Sequence, residues 1–384
     1  MPPPDAQAAP HILILVYSLA RGGAERMTVE LARAWVDRGC RVTVLTLVPA
    51  ETDFFQLDPR VERLQLSFPA DPERGMIQTV AANVGRARAI RRVLGLVRPD
   101  IALGMMSSAA ILLALASVGL KIRTFGSERT YPPMIPLGAA KERLRWFAYG
   151  LLTGVIGQTE AAGRWLRQNT RARRVHVIPN HIDLPLRVQP PVIVPAAVLG
   201  DDRRCVLAVG RMSEEKQFPR LIDAFATLVP RFPQWDLIIT GDGPDRPELE
   251  ARIAAAGLGD RIRLPGPAGN IGDWYARADI FAMTSRFEGF PNALLEAMAH
   301  GVPPIAFDCM TGPSELIQDG ENGLLVPLND TEGLAEGLAK LMGDEGLRAK
   351  MAGQARSMRD RFDGQRATNL WFELFELGGG AKSG

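Results

Sequence analysis

Short apolar runs that alternate with amphipathic segments are the feature that most constrains the fold of this chain. Residues 11–17 read His-Ile-Leu-Ile-Leu-Val-Tyr, and a helical pattern to about Asp37 and a second apolar run over 41–47 follow them. Runs of this kind indicate strands that are buried on both faces. Strands that alternate with helices predict a doubly wound parallel sheet, and the pattern starts again at residues 205–210. We therefore expect an α/β protein with two such sheets.

The length of 384 residues also favours two domains of ordinary size. Hydrophobic residues make up 46% of the chain and charged residues 23%, so each half can bury a core. A proline-rich stretch without periodicity separates the two halves and is typical of a linker. We predict an N-terminal domain over 1–185, a linker over 186–200, a C-terminal domain over 201–360, and a terminal helix in 361–384 that ends in a disordered glycine-rich tail.

Charge is distributed unevenly along the chain, although the net charge is only +2. Residues 1–195 hold ten more basic than acidic residues, and residues 196–384 hold eight more acidic than basic ones. A basic half favours an anionic partner, and a solvated basic face is the alternative. The three distant cysteines, Cys40, Cys205 and Cys309, indicate a reducing compartment without a disulfide framework or metal cluster. The first residues lack a basic n-region, so we expect no signal peptide.

Two further segments bear on membrane contact. Residues 101–120 contain no charge and are long enough to span a bilayer, but Ser107 and Ser108 are good N-cap residues, so we favour a buried strand followed by a buried helix. Residues 137–152 interleave lysine and arginine with large aromatic residues. That pattern suits a surface that rests on anionic lipid, and a helix packed on its own domain is the alternative.

Two glutamates stand out in the second half. Glu288 lies in a turn after an apolar strand pattern, and Glu296 is the only carboxylate of an apolar helix that we expect to begin at Pro291. A carboxylate in such a helix is costly unless it has a partner, and ribose hydroxyls can donate to it. The backbone N–H groups of residues 289–292 and the helix dipole favour an anion at the turn. A solvated loop acid and a structural ion pair are the alternatives.

Candidate phosphate contacts occur after the first strand pattern of each half. Gly22 and Gly23 allow close backbone approach to a ligand, or form a tight structural turn; they do not make a dinucleotide fingerprint. Arg211 and Lys216 lie five residues apart between a strand and a helix, which suits a diphosphate or a solvated face.

The second half continues with Asp308, Gly-Pro-Ser-Glu at 312–315 and Asn-Gly-Leu-Leu-Val-Pro at 322–327. With seven residues between Glu288 and Glu296, these motifs resemble glycosyltransferase family four, the retaining nucleotide-sugar transferases of the GT-B fold. The resemblance implies two Rossmann-like doubly wound domains facing a cleft, with a terminal helix that crosses back to the N-terminal domain.

The resemblance also implies roles for individual residues. It makes Arg211 and Lys216 the cations that hold the donor pyrophosphate, and it puts Gly22 and Gly23 beside the donor diphosphate. Glu296 would bind the ribose, and Glu288 would hold the sugar and act in catalysis. The turn that completes the donor site consists of Gly289, Phe290, Pro291 and Asn292.

Some expected features of the family are replaced here. The sequence has Ser-Glu-Arg-x-x-Pro at 127–132 in place of the histidine of many members, which leaves Glu128 as the candidate acceptor-side acid or base, with a salt bridge to a local arginine as the alternative. His181 replaces a glycine and is expected to be a turn residue. No Asp-x-Asp motif occurs, and we expect no metal at Asp242 or elsewhere.

The function implied by this resemblance is transfer of a hexose or N-acetylhexosamine from a UDP-sugar to a polyprenyl-diphosphate-linked or other saccharide. We expect a cytoplasmic enzyme at the inner membrane face, without a cofactor or a nucleic-acid partner. A sugar phosphorylase and a non-catalytic sugar-nucleotide sensor stay open as alternatives. The sugar, the linkage and the acceptor do not follow from the sequence.

Overall fold

Two parallel β-sheets organise the chain. The computed structural model describes residues 9–20, 22–68 and 76–377, so the predicted glycine-rich tail and the first residues lie outside the described part. The chain divides into unit 1, which comprises Met1–Asn180 with Gly364–Gly384, and unit 2, which comprises His181–Asp363. The proline-rich residues 186–200 therefore belong to unit 2.

Unit 1 alternates strands with helices along most of its length. Its elements are β1 (His11–Val16), α1 (Gly23–Asp37), β2 (Arg41–Thr46), β3 (Glu62–Gln65), α2 (Met76–Val97), β4 (Ile101–Met105), α3 (Met106–Ala116), β5 (Arg123–Ser127), α4 (Ala139–Tyr149), β6 (Gly154–Gly157), α5 (Glu160–Asn169) and β7 (Val175–Val177). The strand predicted at residues 11–17 is confirmed to within one residue. The helix that follows it ends at Asp37 as predicted, but it begins earlier than the sequence pattern indicates, at Gly23.

The seven strands of unit 1 pair in the order β3-β2-β1-β4-β5-β6-β7, all parallel. β1 is an interior strand between β2 and β4, and every one of its residues is buried, as its apolar sequence predicts. The sequence pattern does not reveal β3, because this edge strand is polar and exposes about half of its residues. Glu62 of β3 is held instead by the Thr43 hydroxyl, which donates to its carboxylate at 2.9 Å.

The uncharged run at residues 101–120 forms β4 and α3, as predicted. In the described part of the chain, no helix is long and apolar enough to cross a membrane. The N-cap prediction for Ser107 and Ser108 is wrong, because α3 begins at Met106 and has no side-chain cap. The Ser107 hydroxyl donates instead to the carboxylate of Glu128, 21 residues away.

Unit 2 repeats the alternation. Its elements are β8 (Arg204–Val209), α6 (Phe218–Leu228), β9 (Trp235–Thr240), α7 (Arg246–Ala255), β10 (Ile262–Gly266), α8 (Ile271–Arg277), β11 (Ile280–Met283), α9 (Asn292–His300), β12 (Pro304–Asp308), α10 (Pro313–Leu316), β13 (Leu324–Pro327), α11 (Thr331–Gly343), α12 (Glu345–Ala355) and α13 (Met358–Arg361).

Six parallel strands form the sheet of unit 2 in the order β10-β9-β8-β11-β12-β13. The connection from β10 to β11 crosses the sheet, so the loops after β8 and β11 lie side by side at the carboxyl edge. This reversal of strand order is where open α/β sheets bind ligands.

The last helix, α14 (Gly364–Leu374), belongs to unit 1 although it follows unit 2 in sequence. Trp371 packs edge-on against Trp35 of α1, with 5.7 Å between ring centroids, and Phe375 contacts the same tryptophan. Phe362, at the start of the predicted terminal segment 361–384, packs instead in unit 2 against Phe290.

Candidate active site

The loop after β8 carries both predicted cations. The Gly210 N–H donates to the Thr240 carbonyl at 3.0 Å, which holds the ends of β8 and β9 together. Gly241 has a φ of +137°, and a Cβ there would lie 1.9 Å from the Gly210 carbonyl oxygen, so only glycine fits. From this anchored turn the chain presents Arg211, which is exposed, and Lys216, which is half-buried.

Lys216 forms an ion pair with Glu288, although 72 residues separate them in sequence. The distance from Lys216 Nζ to Glu288 Oε1 is 2.6 Å, and the Ser285 hydroxyl donates to the same oxygen at 2.7 Å. The two charged side chains keep 19% and 12% of their exposure. A ligand can therefore reach this pair without unfolding of the loops around it.

Backbone contacts hold the loops after β8, β11 and β12 against one another. The Arg286 N–H donates to the Glu215 carbonyl at 2.7 Å, and the Thr284 hydroxyl donates to the Lys216 carbonyl at 2.8 Å. The Thr311 hydroxyl donates to the Glu288 carbonyl. These contacts join the carboxyl ends of three neighbouring strands into one preorganised surface, as a binding site requires.

The turn before α9 differs from the prediction in two details. The helix begins at Asn292, one residue later than expected, and Pro291 occupies the N-cap position. The Asn292 N–H donates to the Phe290 carbonyl at 2.9 Å, and proline has no N–H to offer. Within the described ranges, the N–H groups of Gly289 and Phe290 donate to no protein acceptor, so these two can still bind a ligand.

Glu296 is buried inside α9, with 6% of its surface exposed. Its Oε2 accepts a hydrogen bond from the Tyr275 hydroxyl of α8 at 2.9 Å. His300 packs on the Tyr275 ring, with 5.3 Å between centroids, and its Nδ1 lies 2.7 Å from the Glu296 carbonyl oxygen. The Tyr275 hydroxyl thus already binds the carboxylate that the sequence predicts as a ligand of the ribose.

Arg211 differs from Lys216 in having no protein partner. Among the residues that the structure describes, its guanidinium forms no hydrogen bond and no ion pair. An exposed guanidinium beside a lysine can bind a phosphoryl group through two N–H donors. Unit 2 therefore brings a cation, an ion pair and two backbone donors to one edge of its sheet.

Gly22 and Gly23 lie in unit 1, where α1 begins at Gly23. Gly22 is extended, and a Cβ on it would meet the carboxylate of Glu25 at 2.1 Å. Burial raises the pKa of Glu25, which lies in the first turn of the helix. In this structure, the group that leaves no room for a side chain at position 22 is thus the Glu25 carboxylate of the adjoining helix.

Glu128 lies in unit 1 and is fully buried, with 1% of its surface exposed. Its carboxylate accepts hydrogen bonds from the hydroxyls of Ser107, at 2.7 and 2.9 Å, and Tyr149. Arg145 Nη1 lies 3.7 Å away. Burial raises the pKa of Glu128 despite these donors. This geometry favours a role in holding the end of β5 over direct proton transfer with an acceptor.

The remaining candidates occupy ordinary structural positions. His181 is buried, with its Nε2 3.6 Å from Asp183. Asp242 is exposed, and its Oδ1 accepts from the Gly243 N–H at 2.9 Å. Cys40, Cys205 and Cys309 are buried free thiols. The described ranges contain no group of histidine, cysteine or acidic residues that could hold a metal ion.

Comparison with known families identifies the chain. The profile of glycosyltransferase family 4 matches residues 21–185, and that of glycosyl transferases group 1 matches residues 193–358. The chain belongs to glycosyltransferase family four. The surface described above, with Arg211, Lys216, Glu288 and Glu296, lies in the second matched region.

Several individual proteins are similar to this glycosyltransferase. An exopolysaccharide phosphotransferase of Streptomyces coelicolor is 37% identical over 58% of this chain, but the match spans only 23% of that protein. An amylovoran biosynthesis glycosyltransferase of Erwinia amylovora is 29% identical over 89% of this chain and 92% of its own length. A Campylobacter jejuni enzyme, named as an α-1,4-N-acetyl-D-galactosaminyltransferase acting on a PP-undecaprenol-linked glycan, is 24% identical over 94% of this chain and 97% of its own length.

The fold agrees with that of solved glycosyltransferases. HepE from Anabaena, solved in complex with UDP and glucose, superposes with a TM-score of 0.77 at 22% identity, covering 96% of this chain and 99% of that chain. The two parallel-sheet, Rossmann-like domains expected from the GT-B resemblance are therefore confirmed.

Three polar contacts of the site escape sequence reasoning. Tyr275, Ser285 and Thr311 each bind one of the two glutamates through a hydroxyl group. Ser285 and Thr311 lie in the loops that carry the recognised motifs, so their positions could have indicated a role. Tyr275 gives no such signal, because its helix is short and only the packing of α8 on α9 brings it to Glu296.

Proposed function

We propose that this chain is a retaining glycosyltransferase that moves a hexose or N-acetylhexosamine from a UDP-sugar to a saccharide in bacterial surface-glycan assembly. The observation that carries the proposal is the 2.6 Å contact between Lys216 and Glu288, beside the exposed and unpaired Arg211. An activated sugar needs both kinds of group, cations for its diphosphate and a carboxylate for its hydroxyls. The complex of HepE with UDP and glucose supports a UDP-sugar.

In this proposal, unit 2 binds the donor. Arg211 and Lys216 bind the diphosphate and stabilise the charge that develops as it leaves. Glu288 accepts hydrogen bonds from the sugar, with the N–H groups of Gly289 and Phe290 beside it, and Glu296 shares its carboxylate between Tyr275 and the ribose. Pro291 and Asn292 shape this turn at the start of α9.

We propose front-face attack by the acceptor, which retains the anomeric configuration. Lys216 and Ser285 both hold Glu288 Oε1, so this carboxylate is a poor nucleophile for a covalent intermediate. Unit 1 takes the acceptor, and for Gly22 and Gly23 we propose the role toward the donor diphosphate that the family resemblance implies. Glu128 acts by positioning the end of β5.

The acceptor that we propose is linked to a polyprenyl diphosphate, as the name of the Campylobacter relative states for that enzyme. The surface of α4 supports an acceptor held at a membrane. Trp146 and Phe147 expose 48% and 46% of their surfaces, and the basic residues Lys141 and Arg143 are exposed on the same helix. Exposed aromatic rings beside cations suit the interface of an anionic bilayer.

Vesicle sedimentation tests the membrane contact. The full chain should pellet with phosphatidylglycerol-rich vesicles at low salt and be released as ionic strength rises, because surface charges are screened. Trp146→Ser/Phe147→Ser should weaken pelleting at least fivefold. Leu96→Ser, which changes an apolar residue that is 84% exposed on α2, is the matched control. Equal pelleting of both variants would remove the membrane part of the proposal.

Donor turnover separates the proposed transferase from its alternatives. Incubation with a panel of UDP-sugars, with and without lipid-linked saccharides, should release UDP only when a suitable acceptor is present. Release of sugar-1-phosphate that depends on inorganic phosphate would identify a phosphorylase. Binding without turnover for every donor and acceptor would identify a sensor. A thermal-shift screen can choose the donor first, because a ligand at 100 times its Kd stabilises by about 2.7 kcal/mol.

A further inference from the structure

Three buried polar side chains meet at the carboxyl edge of the unit 1 sheet, outside the donor residues. Arg129 follows β5, Gln158 follows β6, and Asn180 lies three residues beyond β7; these strands are neighbours in the sheet. Asn180 Oδ1 accepts from Arg129 Nη2 at 2.7 Å and from Gln158 Nε2 at 2.6 Å. The three residues therefore form one connected cluster, which we call the Arg129 cluster.

This cluster holds no carboxylate of its own and has few acceptors for its N–H groups. Arg129 is 7% exposed, and its Nε is buried without a hydrogen-bond partner. Its Nη1 is 3.4 Å from the Ser127 hydroxyl, and no carboxylate in the described ranges forms an ion pair with it. Gln158 Oε1 also lacks a partner. Burial lowers the pKa of Arg129 to about 9, and the charge of Glu30, which forms no ion pair with it, acts in the opposite direction without offsetting the burial.

The other buried arginines of the described chain are satisfied internally. Arg145 pairs with the carboxylates of Glu142 and Glu128. Arg348 donates to the carbonyl oxygens at the end of α11, at 2.6 Å to Leu341 and 3.2 Å to Met342. A buried guanidinium that has neither arrangement is costly to keep charged. Binding of an external anion would offset this cost.

The geometry points to the Arg129 cluster as a binding subsite for a phosphoryl group. A guanidinium binds phosphoryl oxygens through paired N–H donors, and Arg129 has an unused Nε beside an engaged Nη2. Gln158 can rotate its amide and donate to the same anion. The carboxyl edge of a parallel sheet is also where such ligands bind. The assignment of the ligand rests on the proposed function: it is the diphosphate of the lipid-linked acceptor. The subsite recognises this diphosphate separately from the sugar.

Pyrophosphate binding tests the subsite independently of catalysis. The full chain is used in an Arg211→Ala/Lys216→Ala background, which removes the cations proposed for the donor. Calorimetric titration should detect pyrophosphate binding, and Arg129→Met should weaken it at least tenfold. Arg348→Met, which alters a different buried arginine, is the matched control and should leave the affinity unchanged.

Asn180→Asp provides a second variant that is nearly isosteric. Its carboxylate would lie 2.7 Å from Arg129 and supply the missing counter-charge. We expect Asn180→Asp to raise the melting temperature without ligand and to weaken pyrophosphate binding at least tenfold. Affinity equal to that of the parent background in both cluster variants overturns the subsite.

A third set of titrations distinguishes a lipid-linked diphosphate from free phosphate or pyrophosphate as the ligand. A short, water-soluble prenyl diphosphate should bind at least as tightly as pyrophosphate and should lose affinity in Asn180→Asp. Binding of inorganic phosphate or pyrophosphate alone overturns the acceptor assignment and leaves a free-phosphate site. If no donor is turned over, the proposed function fails, while these titrations still report on the subsite.

Discussion

Lys216 and Glu288 form an ion pair in the structure, and this pairing limits the binding of a ligand to either side chain. Their contact of 2.6 Å neutralises two charges that are otherwise partly buried, with side-chain exposures of 19% and 12%. A diphosphate that binds Lys216 must compete with this carboxylate, whereas Arg211 is open to it without competition. The two cations are therefore expected to contribute differently, Arg211 to initial binding and Lys216 to the charge that develops in the transition state.

Replacement of Lys216 tests its role in transfer. Lys216→Ala should lose roughly 3 kcal/mol of transition-state stabilisation, about a hundredfold in kcat/KM, because a preorganised charge at the leaving group is removed. Steady-state UDP release measures this loss. Lys340→Ala, which alters an exposed lysine of α11, should behave as wild type. A decrease of less than tenfold would refute the assignment of Lys216.

Neutralisation of Glu288 should separate binding from catalysis. Glu288→Gln keeps an acceptor oxygen but releases Lys216 from its partner, so UDP affinity should rise by about threefold or more while transfer falls at least a hundredfold. Titration calorimetry with UDP and a transfer assay measure the two effects. Glu321→Gln, at an exposed turn, is the control. Weaker UDP binding in Glu288→Gln would contradict the competition between carboxylate and diphosphate.

The strands of unit 2 are held at the opposite edge from the candidate site. Asp236 of β9 has a fully buried side chain, and it accepts from Arg261 at 2.9 Å and from Arg263 at 3.1 Å, and also from Arg203. Burial by itself raises the pKa of Asp236, but the hydrogen bonds and charges of these arginines outweigh it and lower the pKa. One carboxylate thus joins the amino ends of β8, β9 and β10.

Asp236→Asn should destabilise unit 2 without altering the proposed donor residues Arg211, Lys216, Glu288 and Glu296. Removal of the charge leaves three arginines around a neutral group, and we expect a loss of about 2–4 kcal/mol in the free energy of unfolding at neutral pH. Denaturant unfolding measures it. Asp223→Asn, which breaks an exposed pair with Arg252, should cost less than about 1 kcal/mol.

The effect of Asp236 should also depend on pH in a defined direction. Because the folded-state pKa is lowered, its stabilisation is complete above the unfolded value of 3.8 and is lost as the pH falls through the lowered value. The difference between wild type and Asp236→Asn should therefore shrink below about pH 4. A difference that stays constant down to pH 2 would show that packing, rather than charge, explains the loss.

The C-terminal segment of the chain completes the hydrophobic core of unit 1. Unit 1 contains β1 to β7 and then α14, which is separated from them by all of unit 2. Trp371 and Phe375 pack with Trp35 in one apolar cluster, and Arg123 donates to the Phe375 carbonyl at 2.6 Å. Folding of unit 1 therefore depends on residues that lie beyond unit 2 in sequence.

Trp371→Ala tests this dependence. The tryptophan is 1% exposed, and its removal should cost about 3–5 kcal/mol of unit 1 stability, because it leaves a cavity against Trp35. Thermal unfolding and hydrogen exchange in α1 measure the loss. Trp146→Ala is the matched control, since Trp146 is 48% exposed and should cost less than about 1 kcal/mol. Equal losses in the two variants would show that α14 does not support unit 1.

Much of the fold was predictable because the signals are local. The apolar runs over 11–17 and 205–210 mark β1 and β8. The polar edge strand β3 was not predictable, because its pairing with β2 depends on a neighbour and not on its own hydrophobicity.

The candidate site follows the same division. Residue types and spacing made Arg211, Lys216, Glu288 and Glu296 candidates, and the resemblance of the surrounding motifs to glycosyltransferase family four gave them their expected roles. Their partners were not, since Lys216 meets Glu288 across 72 residues and Tyr275 meets Glu296 between helices. Strand order and helix packing bring such groups together, and neither is encoded in local periodicity. Likewise, the sequence made Glu128 a candidate acid or base. Only the structure shows that Ser107, Arg145 and Tyr149 enclose its carboxylate.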